Sequence, residues 1–482
     1  MKIAIIGAGV GGISVLKYLQ KEKKLKAEIT VFDDNQYMGN GRAFQYDDPE
    51  LLMNYPGNLI SMKPNKPQDF VDWVKKSNAD MDKHLDDAEN ISGNQYFSRQ
   101  LFGKYMQEHF EKFASKGNVS IITEHVRNVE FLNQEYIVST QNEKFSFDAL
   151  FISPGQFGPM DPYQLMGMPG YMKWPYPMHT LEIEENKDYA VIGTGLSSVD
   201  IARYFIAHSN NKLLLFSRDG QVQSVRGTMQ QISFKYLTLK KLEKVKEKNN
   251  GFIPLEELVT RFKKEIDTLN IDLEKLKINR QNPVRAMTFD LKNAELVGLM
   301  QSVVLEIVHI ASYIWPFMTR SDKAIYLNEY AHVLDAYANP MPEGTAAELL
   351  DAIERGQIEI ISDMTDVAYK YNKFRIYTKN DEYRVHYVIN ATGPAKHYKD
   401  AVETNPLIAN LLNQDLLIEH PDGGFYVTPI DNRVISKDGV LQNCFMLGQK
   451  TSGVNFLNNG IMELIDEGKR TVSALANSVQ EG

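Results

Sequence analysis

The chain opens on an unbroken apolar run, Ile3 to Ile6, the pattern of a strand buried on both faces of a parallel sheet. The run stops at Gly7-Ala8-Gly9. From about Val10 the period changes, with Ile13, Leu16 and Leu19 on one helical face. A second strand is predicted over Glu28 to Phe32, ending at Asp33. The same succession returns in DYAVIGTGLSSVDIARYFI, a strand, a Gly193-Thr194-Gly195 turn and a helix, followed by the strand KLLLFSRDG. Behind each turn lies a second shared pattern: FASKGNVSIITEHVRNVEFLNQEYIVSTQNEKFSFDALFISPGQ and AIERGQIEIISDMTDVAYKYNKFRIYTKNDEYRVHYVINATGP. Both run from a helix end and glycine to a strand, a hairpin of alternating residues, and an apolar strand. Those last strands (Ala149 to Ser153; Tyr387 to Asn390) rejoin the sheet, and Gly155 and Gly393 leave room beside a bound dinucleotide. Such an internal echo predicts two related units.

The expected fold is α/β, with two Rossmann-like dinucleotide-binding domains, each a parallel sheet plus a β-meander. A helical insertion interrupts the second. The first domain is expected over 1–165 and 396–482, the second over 166–232 and 348–395, and the insertion over 233–347. The insertion begins with LKKLEKVKEKNNGFIPLEELVTRFKKEIDTLNIDLEKL, whose lysines read as a solvated helix face. Leu296 to Trp315 is the most apolar long stretch, yet it carries Gln301, Glu306 and His309, each costly at a bilayer centre. A buried or interface helix is expected there, not an integral membrane segment. An amphipathic run through Tyr326, Tyr330 and Leu334 follows, and the insertion reads as a substrate lid or the face of a homodimer.

The turns carry specific chemistry. Gly7 permits the tight turn, Gly9 lets a pyrophosphate reach the backbone, and Gly12 lets the helix pack on the strand. The helix N-terminus offers unpaired N–H groups and the positive end of its dipole to phosphates. Asp33 can accept both ribose hydroxyls, and its charge repels a 2′-phosphate. In the second turn Gly193 and Gly195 keep two glycine positions, and Ser198 takes the third as a residue small enough for close packing. Ser217 and Arg218 stand where the first unit has Asp33. An arginine there can neutralise a 2′-phosphate and favours NADPH, against the alternative of a solvated surface side chain.

Composition narrows the chemistry further. Among 482 residues, 53 basic and 62 acidic side chains give 53 − 62 = −9, which disfavours a general nucleic-acid or membrane-surface binder. The lone Cys444 excludes an intramolecular disulfide, a CxxC pair and a cysteine-rich zinc site, so redox chemistry requires a cofactor. No HExxH, Gly-x-Ser-x-Gly or GxxxxGK[ST] pattern occurs, and the scattered histidines suggest no metal site. No secretory signal is visible at the start of the sequence, and a cytoplasmic location is expected.

With these features the sequence resembles the flavoproteins with two dinucleotide-binding domains. It is most similar to FAD/NAD(P)-binding proteins of the NAD(P)-binding-9 type, relatives of flavin-containing monooxygenases and amine N-hydroxylases. The segment YMGNGRAFQYDDPELLMNYPGNLISMKPNKPQDFVDWV carries the likeness further, as do YFSRQLFGKYMQEHF, FSRDG with the later Val225-Arg226, VINATGP and FMLGQKTSGVNFLNNGIMELIDEG. The resemblance implies FAD at Gly7, Gly9, Gly12 and Asp33, with Gly41 and Arg42 near its phosphates or ring. It implies NADPH at Gly193, Gly195, Ser198, Ser217 and Arg218. Asn54 matches the asparagine over the flavin of flavin-containing monooxygenases, where its amide can hydrogen-bond a flavin peroxide; the bland alternative is a turn asparagine before Tyr55-Pro56. Gly448 opens a turn before a helix expected near Asn455 to Asn459, whose N–H groups would face the flavin's pyrimidine edge. The Baeyer–Villiger pattern FxGxxxHxxxW is absent. MPGYMKWPYPMHT places Gly170 and His179 at a different spacing, and His179 reads as a structural histidine. The implied activity is an FAD- and NADPH-dependent monooxygenase that hydroxylates a small nucleophilic substrate, with NADPH bound between the domains. A reductase without oxygen transfer and a redox-responsive nucleotide-binding protein are the alternatives.

Overall fold

A computed structural model describes residues 1–77, 91–278 and 280–481. In chain order the first strands are β1 (Lys2–Ile6), β2 (Glu28–Phe32), β3 (Val119–Ile122), β4 (Asn128–Leu132), β5 (Glu135–Ser139), β6 (Lys144–Phe147) and β7 (Ala149–Ile152). Then come β8 (Tyr171–Met172), β9 (Tyr189–Ile192), β10 (Leu213–Phe216), β11 (Ile358–Ile361), β12 (Met364–Lys370), β13 (Lys373–Thr378), β14 (Glu382–Val385) and β15 (Tyr387–Asn390). The last are β16 (Arg433–Ser436) and β17 (Gly439–Met446). The chain forms two compact units: 1–49, 55–158 and 394–482 make one, and 50–54 with 159–393 make the other.

In the first unit the sheet order is β16-β17-β7-β1-β2-β3, parallel except for the edge strand β16. The apolar opening run is its centre: Ile3, Ala4 and Ile5 are fully buried because both faces are covered. On one face the helix Val10–Lys21 packs against the C-terminal helix Ile461–Glu481. That approach needs Gly468, where a Cβ would stand 2.7 Å from the Ser14 Cβ. The meander β4-β5-β6 is antiparallel, and Phe145 and Phe147 from it meet Phe32 edge-on.

In the second unit β11-β10-β9-β15-β8 are all parallel, with the meander β12-β13-β14 antiparallel beside them. The α/β expectation with two Rossmann-like sheets and meanders therefore holds. Helices from Leu239–Lys248 to Glu343–Glu354 fill the chain between β10 and β11. The helix Ala294–Ala311 is long and apolar enough to cross a membrane by length and composition. Here Val297, Met300, Val303 and Val304 are buried in a core shared with Ile266 and Tyr337, and Gln301 and Ser302 are buried too. The amphipathic run beyond it differs from expectation. Tyr326–Tyr330 is a π-helical turn: Tyr326 meets Trp315 edge-on, while Leu327, Tyr330 and Val333 are exposed.

Candidate functional site

In a parallel sheet the strand ends on one edge share a direction, and ligands bind beyond the carboxyl ends where the strand order reverses. In the first unit that place is between β1 and β7. Gly7 stands there at φ +95°, and a Cβ on it would meet the Ser153 carbonyl oxygen at 2.1 Å. Gly12 has no room either, since a Cβ would lie 1.8 Å from the Gly7 oxygen. Gly9 differs: the nearest atom to its virtual Cβ is the Gly41 Cα at 3.5 Å. Two bare backbones thus face each other across a gap that a side chain at either position would fill. The helix Val10–Lys21 starts at Gly9 with no side-chain cap, so its first N–H groups are available to an anion.

Asp33 follows β2 and is partly buried. Its Oδ2 accepts from the Ala8 amide at 2.6 Å and its Oδ1 from the Asp34 amide at 2.8 Å. Burial holds its pKa above the ordinary value, against those two bonds. A carboxylate retains further lone pairs after two such bonds, enough to accept ribose hydroxyls. Arg42 is exposed, its guanidinium 5.3 Å from the Tyr37 ring centre.

Beyond β7 and β17 the chain makes two further turns, at Gly155 (φ +71°) and Gly448 (φ +84°). Between them lies Lys450, 1% exposed, which donates to the Gly155 oxygen at 3.1 Å and the Gln156 oxygen at 2.7 Å. Its ammonium is 4.4 Å from the Phe157 ring centre. Burial, with Arg42 adding repulsion, lowers its pKa to about 7. The Gly448 amide donates at 2.8 Å to Glu467, a buried carboxylate whose pKa burial raises to about 7. The other Glu467 oxygen accepts from the Asn458 side chain at 2.8 Å, which also reaches Gly448 O and Thr451 Oγ1. This departs from the sequence expectation: the Gly448 N–H is engaged by Glu467, and the long helix begins at Ile461 after a short turn over Ser452–Asn455. Lys450 and Glu467 went unrecognised in the sequence because nothing local distinguishes a buried charge from a solvated one.

The second unit repeats this frame. Gly193 (φ +118°) stands at the end of β9, and its Cβ would meet the Ala391 oxygen at 2.5 Å. Gly195 has open space before it and begins the helix Leu196–His208, again without a side-chain cap. Ser198 fits by turning its hydroxyl to donate to the Gly195 oxygen at 2.6 Å. Gly393 (φ +87°) follows β15 and also faces open space. After β10, Ser217 accepts from the Gly220 amide at 2.8 Å, and Arg218 is exposed. The six predicted nucleotide residues of this unit therefore gather on one sheet edge, as do Gly7, Gly9, Gly12, Asp33, Gly41, Gly155 and Gly448 on the other. His179 lies apart, exposed in the turn Met178–Thr180.

Asn54 packs with the second unit. Its carbonyl accepts from Arg226 Nη2 at 2.7 Å, and Glu50, at the other end of the same short segment, is held by Arg203. The side chain of Asn54 is partly buried. Among the described residues no cluster of His, Cys, Asp and Glu could hold a metal ion.

The family model for FAD-NAD(P)-binding proteins matches residues 4–157. No curated protein sequence matches the chain. Solved structures do. An ornithine hydroxylase from Pseudomonas aeruginosa is 13% identical, with a TM-score of 0.60 over 99% of each chain. L-lysine 6-monooxygenase from Pseudomonas syringae is 11% identical, with a TM-score of 0.60 over 99% of each. The ornithine N-hydroxylase of Kutzneria sp. 744, solved with reduced FAD, NADP+ and L-ornithine, is 12% identical with a TM-score of 0.58, covering 100% of this chain and 99% of that one. At these identities what is shared is the fold, end to end.

Proposed function

We propose that the chain is an FAD-dependent oxidoreductase that takes hydride from NADPH, and that it is a monooxygenase acting on a small nucleophilic substrate such as an amine. The observation that carries the reading is the pair of glycine turns in one hydrogen-bond frame, one with a carboxylate after its second strand and the other with Ser217-Arg218. The match over 4–157 supports FAD on the first turn, and the fold shared with N-hydroxylating enzymes supports the reaction class. FAD belongs with 1–165 and 396–482, NADPH with 166–232 and 348–395, and the insertion over 233–347 serves the second site.

Bound flavin supplies hydride acceptance and oxygen activation. The chain supplies the rest. Gly9 and Gly41 admit the diphosphate, and the uncapped helix start faces it. Asp33 accepts from the adenosine ribose. Arg218 meets the 2′-phosphate of the donor. Asn54 would offer the cofactor a carboxamide that can both donate and accept a hydrogen bond. Lys450, poised near neutral pH beside the Gly155 and Gly448 turns, would take up its proton where a reduced cofactor brings negative charge. Cys444 takes no part: burial pushes its thiol well above the usual range. A cytoplasmic protein is the natural setting, and the exposed Leu327, Tyr330 and Val333 are where two copies would pair.

The test is a visible spectrum of the purified protein and oxygen-dependent loss of NADPH, followed by a screen of small amines for hydroxylated product. A flavin spectrum, faster turnover with NADPH than NADH, and a hydroxylated amine are expected. A colourless protein that takes up no FAD overturns the reading.

A further inference from the structure

The stretch Glu50–Asn54 leaves the first unit for five residues and packs with the second. Both of its ends are gripped. Arg203, 5% exposed, donates to the Glu50 oxygen at 2.5 Å, to the Glu50 carboxylate at 2.8 Å and to Glu348 at 2.9 Å. Arg226, 6% exposed, donates to the Asn54 oxygen at 2.7 Å. Burying a guanidinium is costly unless its N–H groups find hydrogen-bond partners.

The main chain on either side of Arg226 is held by helical-insertion residues. Gln301 accepts from the Gly227 amide at 2.9 Å and donates to the Val225 oxygen at 2.8 Å, bracketing Arg226 on both sides. Asp290 accepts from the Val225 amide at 2.9 Å and is itself fixed by Arg280 at 2.8 and 3.1 Å. The Arg226 amide donates to the Met341 oxygen at 2.8 Å. Gly227 and Gly298 lie so close that a Cβ on Gly298 would stand 2.2 Å from the Thr228 oxygen. A buried helix with two polar residues on its inner face is costly unless each is bonded; here Gln301 also donates to the Ser224 hydroxyl, and Ser302 accepts from the Gln230 amide while donating to the Gly298 oxygen of its own helix.

We infer that Arg226 is a positioning residue for Asn54, and that the helical insertion is the frame that holds Arg226 in place. The inference rests on the reading of the chain as a flavin-dependent oxidoreductase. It gives the insertion a task other than a lid or a dimer face: it fixes the main chain from which the Asn54 carboxamide is presented.

Four variants of the FAD-loaded full chain test it: Arg226→Met, Arg226→Lys, Asn54→Ala and the double variant of Arg226→Met with Asn54→Ala, each checked by its thermal midpoint. Amide hydrogen exchange over residues 50–56 is read first. It should rise roughly fivefold in Arg226→Met, and less in Arg226→Lys, as local opening becomes easier. The second readout is the oxidase reaction without substrate, in which NADPH, a proton and oxygen give NADP+ and hydrogen peroxide. Its rate should rise about tenfold in Arg226→Met, within what a small misplacement costs. Asn54→Ala should give a similar rise, the double variant no more than Asn54→Ala alone, and Arg226→Lys should recover part of the loss. Unchanged exchange over 50–56 in Arg226→Met overturns the inference, as does a double variant whose effects multiply. A merely structural arginine would lower the midpoint and multiply. Failure to bind any FAD would overturn the functional reading instead, and the exchange data would still judge the contact.

Discussion

In the first unit Gly7 donates to Phe32, Ser153 donates to Ile6, and Asp33 donates to Ile122. In the second, Gly193 donates to Phe216, Ala391 to Ile192, and Ser217 to Ile361. The backbone frames are therefore the same, and Asp33 and Ser217 are equivalent positions. What differs is attached to the frame. The Asp33 carboxylate reaches back over the glycine turn to Ala8, while the Ser217 hydroxyl stays in its own loop with Gly220. Gly12 has no space for any side chain, whereas Ser198 has space for a hydroxyl. The first sheet also carries β17, followed by the turn with buried Lys450, which faces Gly155, and by the C-terminal helix with buried Glu467; the second has the two-residue β8 in the place of β17. A resident cofactor and a visiting one need different grips, and on the proposed assignment the extra turn with its charges would sit on the resident's side.

The comparison breaks most easily at the third glycine. Gly12→Val should cost at least about 4 kcal/mol, because the helix must leave the strand. Ser198→Ala should cost within about 1 kcal/mol, the worth of one hydroxyl bond. Thermal or denaturant unfolding checks both, and equal costs would mean the two helices pack alike. Gly9→Val separates folding from binding. Its Cβ meets only the Gly41 Cα at 3.5 Å, so the fold should persist while FAD affinity falls by at least a hundredfold, about 2.7 kcal/mol. Flavin absorbance after gel filtration is the measurement.

The buried charges of the first unit give an effect with a definite sign. Glu467 is raised from 4.5 to about 7, so the native state binds the extra proton and stability falls as pH rises from 4.5 to 7. Lys450 is lowered from 10.5 to about 7, so the unfolded state binds the extra proton and stability rises from pH 7 to 10.5. Together they predict a stability minimum near pH 7, with an acid limb of about 3 kcal/mol and a larger alkaline limb of about 5 kcal/mol. Glu467→Gln should flatten the acid limb and Lys450→Met the alkaline one, by denaturant unfolding across pH. Limbs unchanged in these variants would assign the minimum to other groups.

The frame was legible in the sequence because it is local. Glycines at fixed offsets after an apolar run specify a turn whose geometry depends on a few neighbouring residues, and Asp33 follows directly from the end of β2. The repeated strand–meander–strand pattern was legible for the same reason, since alternation and chain order are written in consecutive positions. What was not legible lies far apart in sequence. Arg226 meets Asn54 across 172 positions, and Lys450 meets Gln156 across 294. The π-helical turn at Tyr326–Tyr330 escaped because the run around it keeps a helical pattern either way. Gln301 was weighed as a cost to a membrane segment; its bonds to Val225 and Gly227 explain it, and nothing in its own helix announces them.

Arg218 sharpens the comparison where it is finest. It is exposed, so it adds nothing to the core, and solvent screens its charge. Arg218→Ala should weaken NADPH by about tenfold, near 1.4 kcal/mol, and leave NADH within a factor of two, since only NADPH carries the 2′-phosphate. The converse variant is more telling. Ser217→Asp restores, at the equivalent position, the carboxylate that Asp33 supplies in the first unit, and should turn preference towards NADH by repelling the phosphate and accepting from the ribose. Titration of each nucleotide against the flavin spectrum measures both. If Ser217→Asp left the preference unchanged, the equivalence of Asp33 and Ser217 would be one of backbone only, and selection of the donor would have to come from residues outside the repeated frame.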